Sequence, residues 1–220
     1  MFLGHIGVGF GAKSITPRVS LGTLLLASLF IDLLWPTLLM LGFEHCEISP
    51  GDTKLTPISF TDYPFSHSLL AVLLWAFLFA GINYLIRRSS KEAWVCGIIV
   101  FSHWVLDLFV HRPDLQLMPG LPVRVGFGLW NSLPATLAVE LSIFIIGIVL
   151  YCYNTRALDR VGYFGFWGMI VFLVIMYLGN IFGPPPPSVR AVAWSGQAQW
   201  LLVIWGFWIE KHRTLRWLYN

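Results

Sequence analysis

Long apolar runs separated by short polar segments dominate the sequence. A helix needs about 20 mostly apolar residues to cross a bilayer. Charged or turn-forming segments such as RRSSKE and GPPPPS interrupt the apolar stretches. Only helices and closed barrels satisfy the backbone in lipid, and these runs have helical length. The pattern therefore predicts an all-α polytopic membrane bundle of six transmembrane helices, at 19–43, 65–86, 93–111, 133–153, 163–182 and 191–209.

The first 13 residues, MFLGHIGVGFGAK, are apolar but too short to span a bilayer, at roughly 18 Å of helix. We expect a short N-terminal helix, which either dips into the bundle as a half-helix or points its N-terminus outward. The segment has no basic n-region and no A-x-A site, so it is expected to be retained rather than cleaved as a signal peptide. No linker or repeat divides the chain, which predicts a single domain over residues 1–220.

The composition supports the membrane interpretation. Apolar residues make up 57% of the chain and charged residues only 11%, whereas a soluble domain carries about a quarter charged residues. The net charge of +3 is small and the basic residues are scattered, which argues against nucleic acid binding. Cys46, Cys96 and Cys152 match no metal-binding or disulfide spacing.

The distribution of Lys and Arg predicts the orientation. Placing both termini in the cytoplasm puts four basic residues in outer segments, Lys54, Arg112, Arg124 and Arg190. It puts ten in inner segments, which is a clear positive-inside bias: Lys13, Arg18, Arg87, Arg88, Lys91, Arg156, Arg160, Lys211, Arg213 and Arg216.

One polar motif stands out at the end of the third run, SHWVLDLFVHRPD at 102–114. His103, Asp107 and His111 are spaced by four residues, so their side chains stack on one helix face. The alternative interpretation is a hydrogen-bonded pair of His103 and Asp107 that joins two helices.

Other ionisable residues are predicted at a similar depth. Counted at about 1.5 Å per residue, Asp32 and Glu140 lie roughly 20 Å above the inner surface. His67 opens the second run at the outer surface, and His5 falls near mid-depth. Taken singly, each has another interpretation: His67 as a helix cap, His5 as a packing residue, and the two carboxylates as partners of a buried cation.

Together, these groups favour a metal site. Ionisable groups inside a bilayer need a partner or a cavity, and clustered carboxylates repel unless a cation joins them. His with Asp and Glu suits zinc first, with manganese or iron as alternatives. Asp107 has a histidine one turn away on each side and is placed to bridge two ions. The candidate ligands are His5, Asp32, His67, His103, Asp107, His111 and Glu140.

The sequence resembles the YdjM-type inner-membrane proteins, which are described as predicted metal-dependent hydrolases. GHIGVGFGAK, the membrane-embedded Asp32 before Trp35-Pro36, FSHSLL and SHWVLD carry the resemblance. It covers residues 1–115, the metal-site core, whereas 116–220 adds helices and contributes Glu140. The resemblance implies a distant relationship to the zinc phospholipase C and P1 nuclease fold, an all-helical bundle with clustered zinc ions.

In that family pattern the ligands follow in the order His5, Asp32, His67, His103, Asp107, His111 and Glu140. The HxxxE pair that closes the cluster in the soluble enzymes is incomplete, because Thr136 stands four residues before Glu140. The family's D-x-D-H-P motif is reduced to Asp32. Both departures favour one or two ions over three.

The leading functional hypothesis is a metal-dependent hydrolase at the outer leaflet of a bacterial inner membrane. Asp32 or Glu140, whichever is not a metal ligand, is expected to act as the general base, and Arg112, with Arg124, to steer or hold an anionic headgroup. A phosphoester or other ester of a lipid-like substrate follows from the fold analogy alone. One alternative is a metal or proton transporter; against it, the sequence places no ionisable group in the inner half of spans two to six. The other alternative is a non-catalytic protein with a structural metal.

Overall fold

The computed structural model describes residues 1–216 and shows a mostly helical protein. Five of its helices are long and apolar enough to cross a membrane. They confirm the helices predicted for the first five spans, and most of their ends agree with the prediction to within a few residues. The helices are α1 Phe2–Gly11, α2 Leu21–Met40, α3 Pro64–His67, α4 Leu69–Arg87, α5 Ser90–Val110, α6 Leu133–Asn154, α7 Arg160–Phe182, α8 Val189–Gln197 and α9 Trp200–Lys211; the long ones are α2, α4, α5, α6 and α7.

The prediction of a sixth span as one helix over 191–209 was wrong. This part of the chain forms two shorter helices, α8 and α9. At the junction, the amides of Gln199, Leu201 and Leu202 each bond the carbonyl three residues earlier, which is 3-10 geometry. The polar segment SGQAQ interrupts the apolar run here, and Gln197 Nε2 donates to Thr37 Oγ1 at 2.6 Å.

Hydroxyl and carboxyl N-caps set where most of the long helices begin. Ser20, Ser68, Ser89 and Asp159 each accept a hydrogen bond from the amide three residues later, at the starts of α2, α4, α5 and α7. Such a cap satisfies one of the amides that a helix start leaves without a partner. The cap at Ser68, in an extended conformation, separates α3 from α4. The second predicted run, 65–86, therefore begins with a separate turn that carries His67.

Residues 1–216 contain three two-stranded antiparallel sheets, and none was predicted. They pair β1 His45–Ile48 with β2 Ile58–Asp62, β3 Leu115–Gln116 with β4 Arg124–Val125, and β5 Thr155–Ala157 with β6 Arg213–Leu215. Strands of two to five residues are too short to show a readable alternation. We call the end of the bundle with β1 to β4 the site end, and the end with β5 and β6 the basic end. All ten of the basic residues predicted to be cytoplasmic lie at or near the basic end. The membrane and the orientation of the protein in it stay predictions.

Helix α1 lies inside the bundle, as the half-helix expectation requires. It packs along α6, and Leu3, Ile6 and Phe10 are fully buried. Gly7 and Gly147 let the two backbones touch, because a Cβ on Gly147 would lie only 2.1 Å from the Gly7 carbonyl oxygen. This close crossing of small residues is typical of helix packing in membranes. It holds the N-terminal half of α1, with His5, at the site end.

Candidate metal centre

Asp107 on α5 is the centre of a buried cluster of imidazoles. His5 Nε2 lies 3.0 Å from Asp107 Oδ1 and His103 Nε2 lies 3.1 Å from Oδ2. His67 Nε2 and His111 Nε2 approach the same Oδ2 at 3.9 Å and 4.0 Å. The rings of His5 and His103 are stacked, with centroids 3.6 Å apart. The structure thus brings the two histidines predicted from other segments, His5 and His67, and the two of the α5 motif to one carboxylate.

Asp32 on α2 adds a second carboxylate to the cluster. Its Oδ1 lies 3.5 Å from His103 Nε2 and 3.8 Å from His67 Nε2. Two overlapping sets, one of His5, His103 and Asp107 and one of Asp32, His67 and His103, each have ligand atoms within 4.8 Å of one another. These are groupings that can hold a metal ion, and His103 belongs to both.

The other ring nitrogen of three histidines is bound away from the cluster. His103 Nδ1 donates to the Ser28 carbonyl, at 3.2 Å. His111 Nδ1 lies 2.9 Å from Asp114 Oδ1, which also accepts the Tyr63 hydroxyl at 2.6 Å. Burial, and then the Asp114 carboxylate, raise the pKa of Tyr63 well above its usual range, so that this hydroxyl stays a donor.

His67 is held by a buried carboxylate in the loop after α2. Glu44, fully buried, accepts the amides of Phe65 and Ser66 and the Ser66 hydroxyl, at 2.7–2.8 Å. Ser66 Oγ lies 2.7 Å from His67 Nδ1. Since the Ser66 proton is directed to Glu44, the Ser66 oxygen accepts from the His67 Nδ1–H. This arrangement leaves the Nε2 lone pair of His67 free to face the cluster.

These contacts fit a metal ion better than a helix seam. Metal-bound histidines almost always donate their other ring nitrogen to a carboxylate, carbonyl or similar acceptor. His103 Nε2 is buried near two carboxylates, yet within residues 1–216 it makes no hydrogen bond of acceptable geometry. The ligand atoms of each grouping lie within 4.8 Å of one another, as the ligands of one ion do. The mixture of imidazole and carboxylate suits zinc, manganese or iron.

The cluster takes up a positive charge in this structure. The α-amino group of Met1 lies 2.6 Å from Asp107 Oδ1, and its side chain is fully buried. Buried carboxylates are costly without a compensating cation. The position next to Asp107 therefore favours a cation.

A cavity of about 150 Å³ opens beside the cluster. Asp32, with 24% of its side chain exposed, is the most accessible of the candidate ligands that line it. Trp35, Phe60 and Trp130 supply aromatic surface, and Trp130 also packs on His111 with centroids 4.2 Å apart. The site is therefore reachable by a small group and largely sheltered from bulk solvent.

Glu140 and Arg112 lie close to the centre with other partners. Glu140 Oε2 accepts the Leu3 amide at 2.9 Å at the start of α1, and Glu140 lines the cavity but belongs to neither metal grouping. The Arg112 guanidinium pairs with Asp52 and Asp114 and donates to Ser59 Oγ. Arg124 donates to the Thr61 carbonyl. Asp114, in the loop after α5, holds His111.

Sequence reasoning missed two residues that orient the histidines, Glu44 and Tyr63, and one that lines the cavity, Tyr177. Glu44 and Tyr63 come from the loop between α2 and α4, and Tyr177, which lines the cavity, comes from α7. A glutamate just beyond an apolar run or a tyrosine near the end of one is ordinary in a membrane protein. The FSHS motif was the one available signal for the Ser66 contact.

Searches against protein-family models, curated proteins and solved structures gave no match for this chain, so the resemblance to YdjM-type proteins stays a prediction.

Proposed function

We propose that this protein is a membrane-embedded metal-dependent hydrolase that cleaves a phosphoester or other ester of a lipid-like substrate. One observation carries the proposal. Histidines anchored through Nδ1 turn their Nε2 atoms toward two carboxylates beside a cavity, in a bundle with membrane-length helices. Buried ionisable groups in such a bundle are by default a functional site.

The proposed ligands are His5, Asp32, His67, His103 and Asp107, with His111 next to them. One or two ions fit, since the two groupings share His103. Zinc is our first expectation. A divalent metal at such a site polarises a phosphoryl or carbonyl oxygen and lowers the pKa of water toward 7.

The chain's own residues supply the rest of the chemistry. Asp32, the most accessible carboxylate of the cluster, accepts a proton from the attacking water through an oxygen that is not bound to the metal. The water oxygen bonds to phosphorus or to the acyl carbon, the ester bond to the leaving alcohol breaks, and the proton passes to the leaving oxygen. Arg112 acts here as a positioning residue for Asp114, because Asp52, Asp114 and Ser59 already engage its guanidinium.

The test is metal analysis by mass spectrometry of detergent-purified protein, comparing wild type with Asp107→Ala and His103→Ala. His45→Ala is the matched control, because His45 is exposed in β1, away from the cluster. We expect one or two equivalents of a transition metal in wild type and control, and less than about a tenth of that in the two cluster variants. Folded wild-type protein that stays metal-free after reconstitution with zinc, manganese or iron would sink the proposal.

A second measurement separates hydrolysis from the other hypotheses. Metal-loaded wild type is incubated with short-chain phospholipids, and released products are followed by phosphate and fatty-acid assays. Metal-dependent turnover that falls in Asp32→Asn by more than its bound metal does supports a hydrolase. Bound metal without turnover on any ester supports the structural role, and metal or proton flux across proteoliposomes supports the transporter.

A further inference from the structure

A second pair of buried polar groups lines the same cavity, on helices other than those of the cluster. Glu140 on α6 is fully buried and Tyr177 on α7 is 3% exposed. The Tyr177 hydroxyl lies next to the Glu140 carboxylate, yet within residues 1–216 neither it nor Glu140 Oε1 makes a hydrogen bond of acceptable geometry. Neither residue belongs to the metal groupings. A buried polar atom without a partner costs about 1–3 kcal/mol, so two that line one cavity call for a ligand.

The chemistry of the pair is complementary to a hydroxyl group. A carboxylate oxygen accepts a hydrogen bond, and a phenol can donate one as well as accept one. A ligand hydroxyl can do both at once. Asn180, one helical turn beyond Tyr177 and exposed at the cavity, adds an amide that donates and accepts.

The charge of the cavity wall argues for a neutral group at this position. Among the described residues that line the cavity there is no Lys or Arg side chain. An anionic headgroup bound by protein side chains alone is normally met by such residues. The aromatic faces of Trp35, Phe60 and Trp130 instead suit a group with both apolar and hydroxyl-bearing surface.

We propose that Tyr177 and Glu140 bind the hydroxyl groups of a polyol headgroup, of the glycerol or sugar class, beside the metal cluster. This inference rests on the proposed function, because it names the class of lipid ester that the same cavity takes. The scissile ester then lies toward Asp32, and the hydroxyls lie toward α6 and α7.

The test compares two soluble lipids, dioctanoyl phosphatidylglycerol and dioctanoyl phosphatidylpropanol. They share charge, phosphodiester and acyl chains, and differ in the two headgroup hydroxyls. Binding is read from Trp fluorescence, since Trp35 and Trp130 line the cavity. We expect wild type to prefer the glycerol lipid about 3- to 10-fold, the value of one or two neutral hydrogen bonds.

Tyr177→Phe should lose most of this preference without changing bound metal. Tyr151→Phe is the matched control, because Tyr151 is also buried with a hydroxyl that makes no hydrogen bond in the described chain, but it lies toward the basic end of α6. We rely on Tyr177 rather than Glu140, since Glu140 also holds the start of α1. Equal binding of the two lipids by wild type, or a preference that survives in Tyr177→Phe, overturns the inference.

The outcomes also separate this inference from the proposed function. A glycerol preference in protein that neither binds metal nor cleaves lipid supports the hydroxyl site and removes the hydrolase. Equal affinity for the two lipids, together with metal-dependent cleavage of both, removes the hydroxyl site and leaves the hydrolase.

Discussion

Two buried polar networks lie at opposite ends of α1 and differ in whether their atoms are satisfied. At the basic end, just after α1, Lys13 is 1% exposed and donates to the Val19 carbonyl at 2.9 Å and to Glu210 Oε1 at 2.5 Å. The other oxygen of Glu210 accepts the Leu21 amide at 2.9 Å. Donors meet acceptors throughout this network.

At the site end, the imidazole Nε2 atoms and the carboxylate oxygens face one another at 3.0–4.0 Å, and within residues 1–216 His103 Nε2 and His5 Nδ1 are buried without a hydrogen bond. A satisfied network of this kind joins helices, whereas an unsatisfied one needs something else at its centre. The comparison teaches that residue type alone does not identify a site. Lys13 and Glu210 are as unusual inside a membrane protein as His103 and Asp107, and it is the geometry that separates them.

The largest expected effect comes from separating α1 from α6, which disturbs both networks. In Gly147→Ala the new methyl group meets the backbone of Gly7, so the helices must move apart. We expect a loss of about 3 kcal/mol in unfolding free energy in detergent titrations, as for an overpacked core, together with loss of bound metal. Gly81→Ala is the control, since a Cβ there meets nothing within 4 Å. Normal stability in Gly147→Ala would contradict the close packing of α1.

The next effect is specific to the site end. Asp114→Asn and Tyr63→Phe remove hydrogen bonds that orient His111. We expect metal affinity to fall about 10- to 100-fold in each, the usual result of losing a residue that orients a ligand. Chelator competition measures it, with exposed Asp62→Asn as the control from the same loop. Unchanged affinity in both variants would remove His111 from the metal site.

The third effect is specific to the basic end. Lys13→Met leaves Glu210 without its cation. Breaking a fully buried pair costs about 3–5 kcal/mol, but Glu210 is 30% exposed, so we expect about 1–2 kcal/mol with bound metal unchanged. Lys211→Met, an exposed lysine on the same end, is the control. The double variant Lys13→Met, Glu210→Leu should recover part of the loss. A fall in metal content in Lys13→Met would mean that the two networks are not separate.

The smallest effect concerns a largely solvent-accessible pair beyond both networks, Asp159 and His212. The hydrogen bond from His212, and then the Gly162 amide, lower the pKa of Asp159 below 3.8. A carboxylate with a depressed pKa stabilises the fold above its unfolded pKa, and this contribution is lost as the pH falls through the folded pKa. The small difference in melting temperature between wild type and Asp159→Asn should therefore be present at pH 6 and shrink below about pH 4. A difference that grows toward pH 3 would have the wrong sign.

The helices were predictable because an apolar run long enough to cross a membrane satisfies its own backbone groups best as a helix. An apolar run such as 133–153 has to become a helix, and α6 does so at Leu133–Asn154. Residues 191–209 were harder, because a few polar residues in an apolar run do not reveal whether the helix continues. The outcome depends on tertiary contacts such as Gln197 with Thr37 and the packing of Gly196 against Pro36.

For the site, the sequence placed residues by helical period and by depth. His103 and Asp107 share a face by spacing alone, and Asp32 could be brought to the same level by counting residues. Glu44 and Tyr63 could not, because loop residues have no period and their positions depend on how the loop folds back over the bundle. Glu140 illustrates the limit of depth: it lies at the cavity as expected, but one of its oxygens serves the start of α1.

The contact of Leu3 with Glu140 has a consequence for how the chain is made. These residues are separated by 137 positions, and α1 has most of its packing against α6. During synthesis, α1 can pack against α2 and α5 early, but it must wait for more than half of the protein to emerge before it meets its main partner, α6. In that interval Asp32, His103 and His111 are made before His5 can reach its final position beside them. A nascent chain stopped before α6 should therefore expose its first ten residues to proteolysis, and a chain elongated through α7 should protect them.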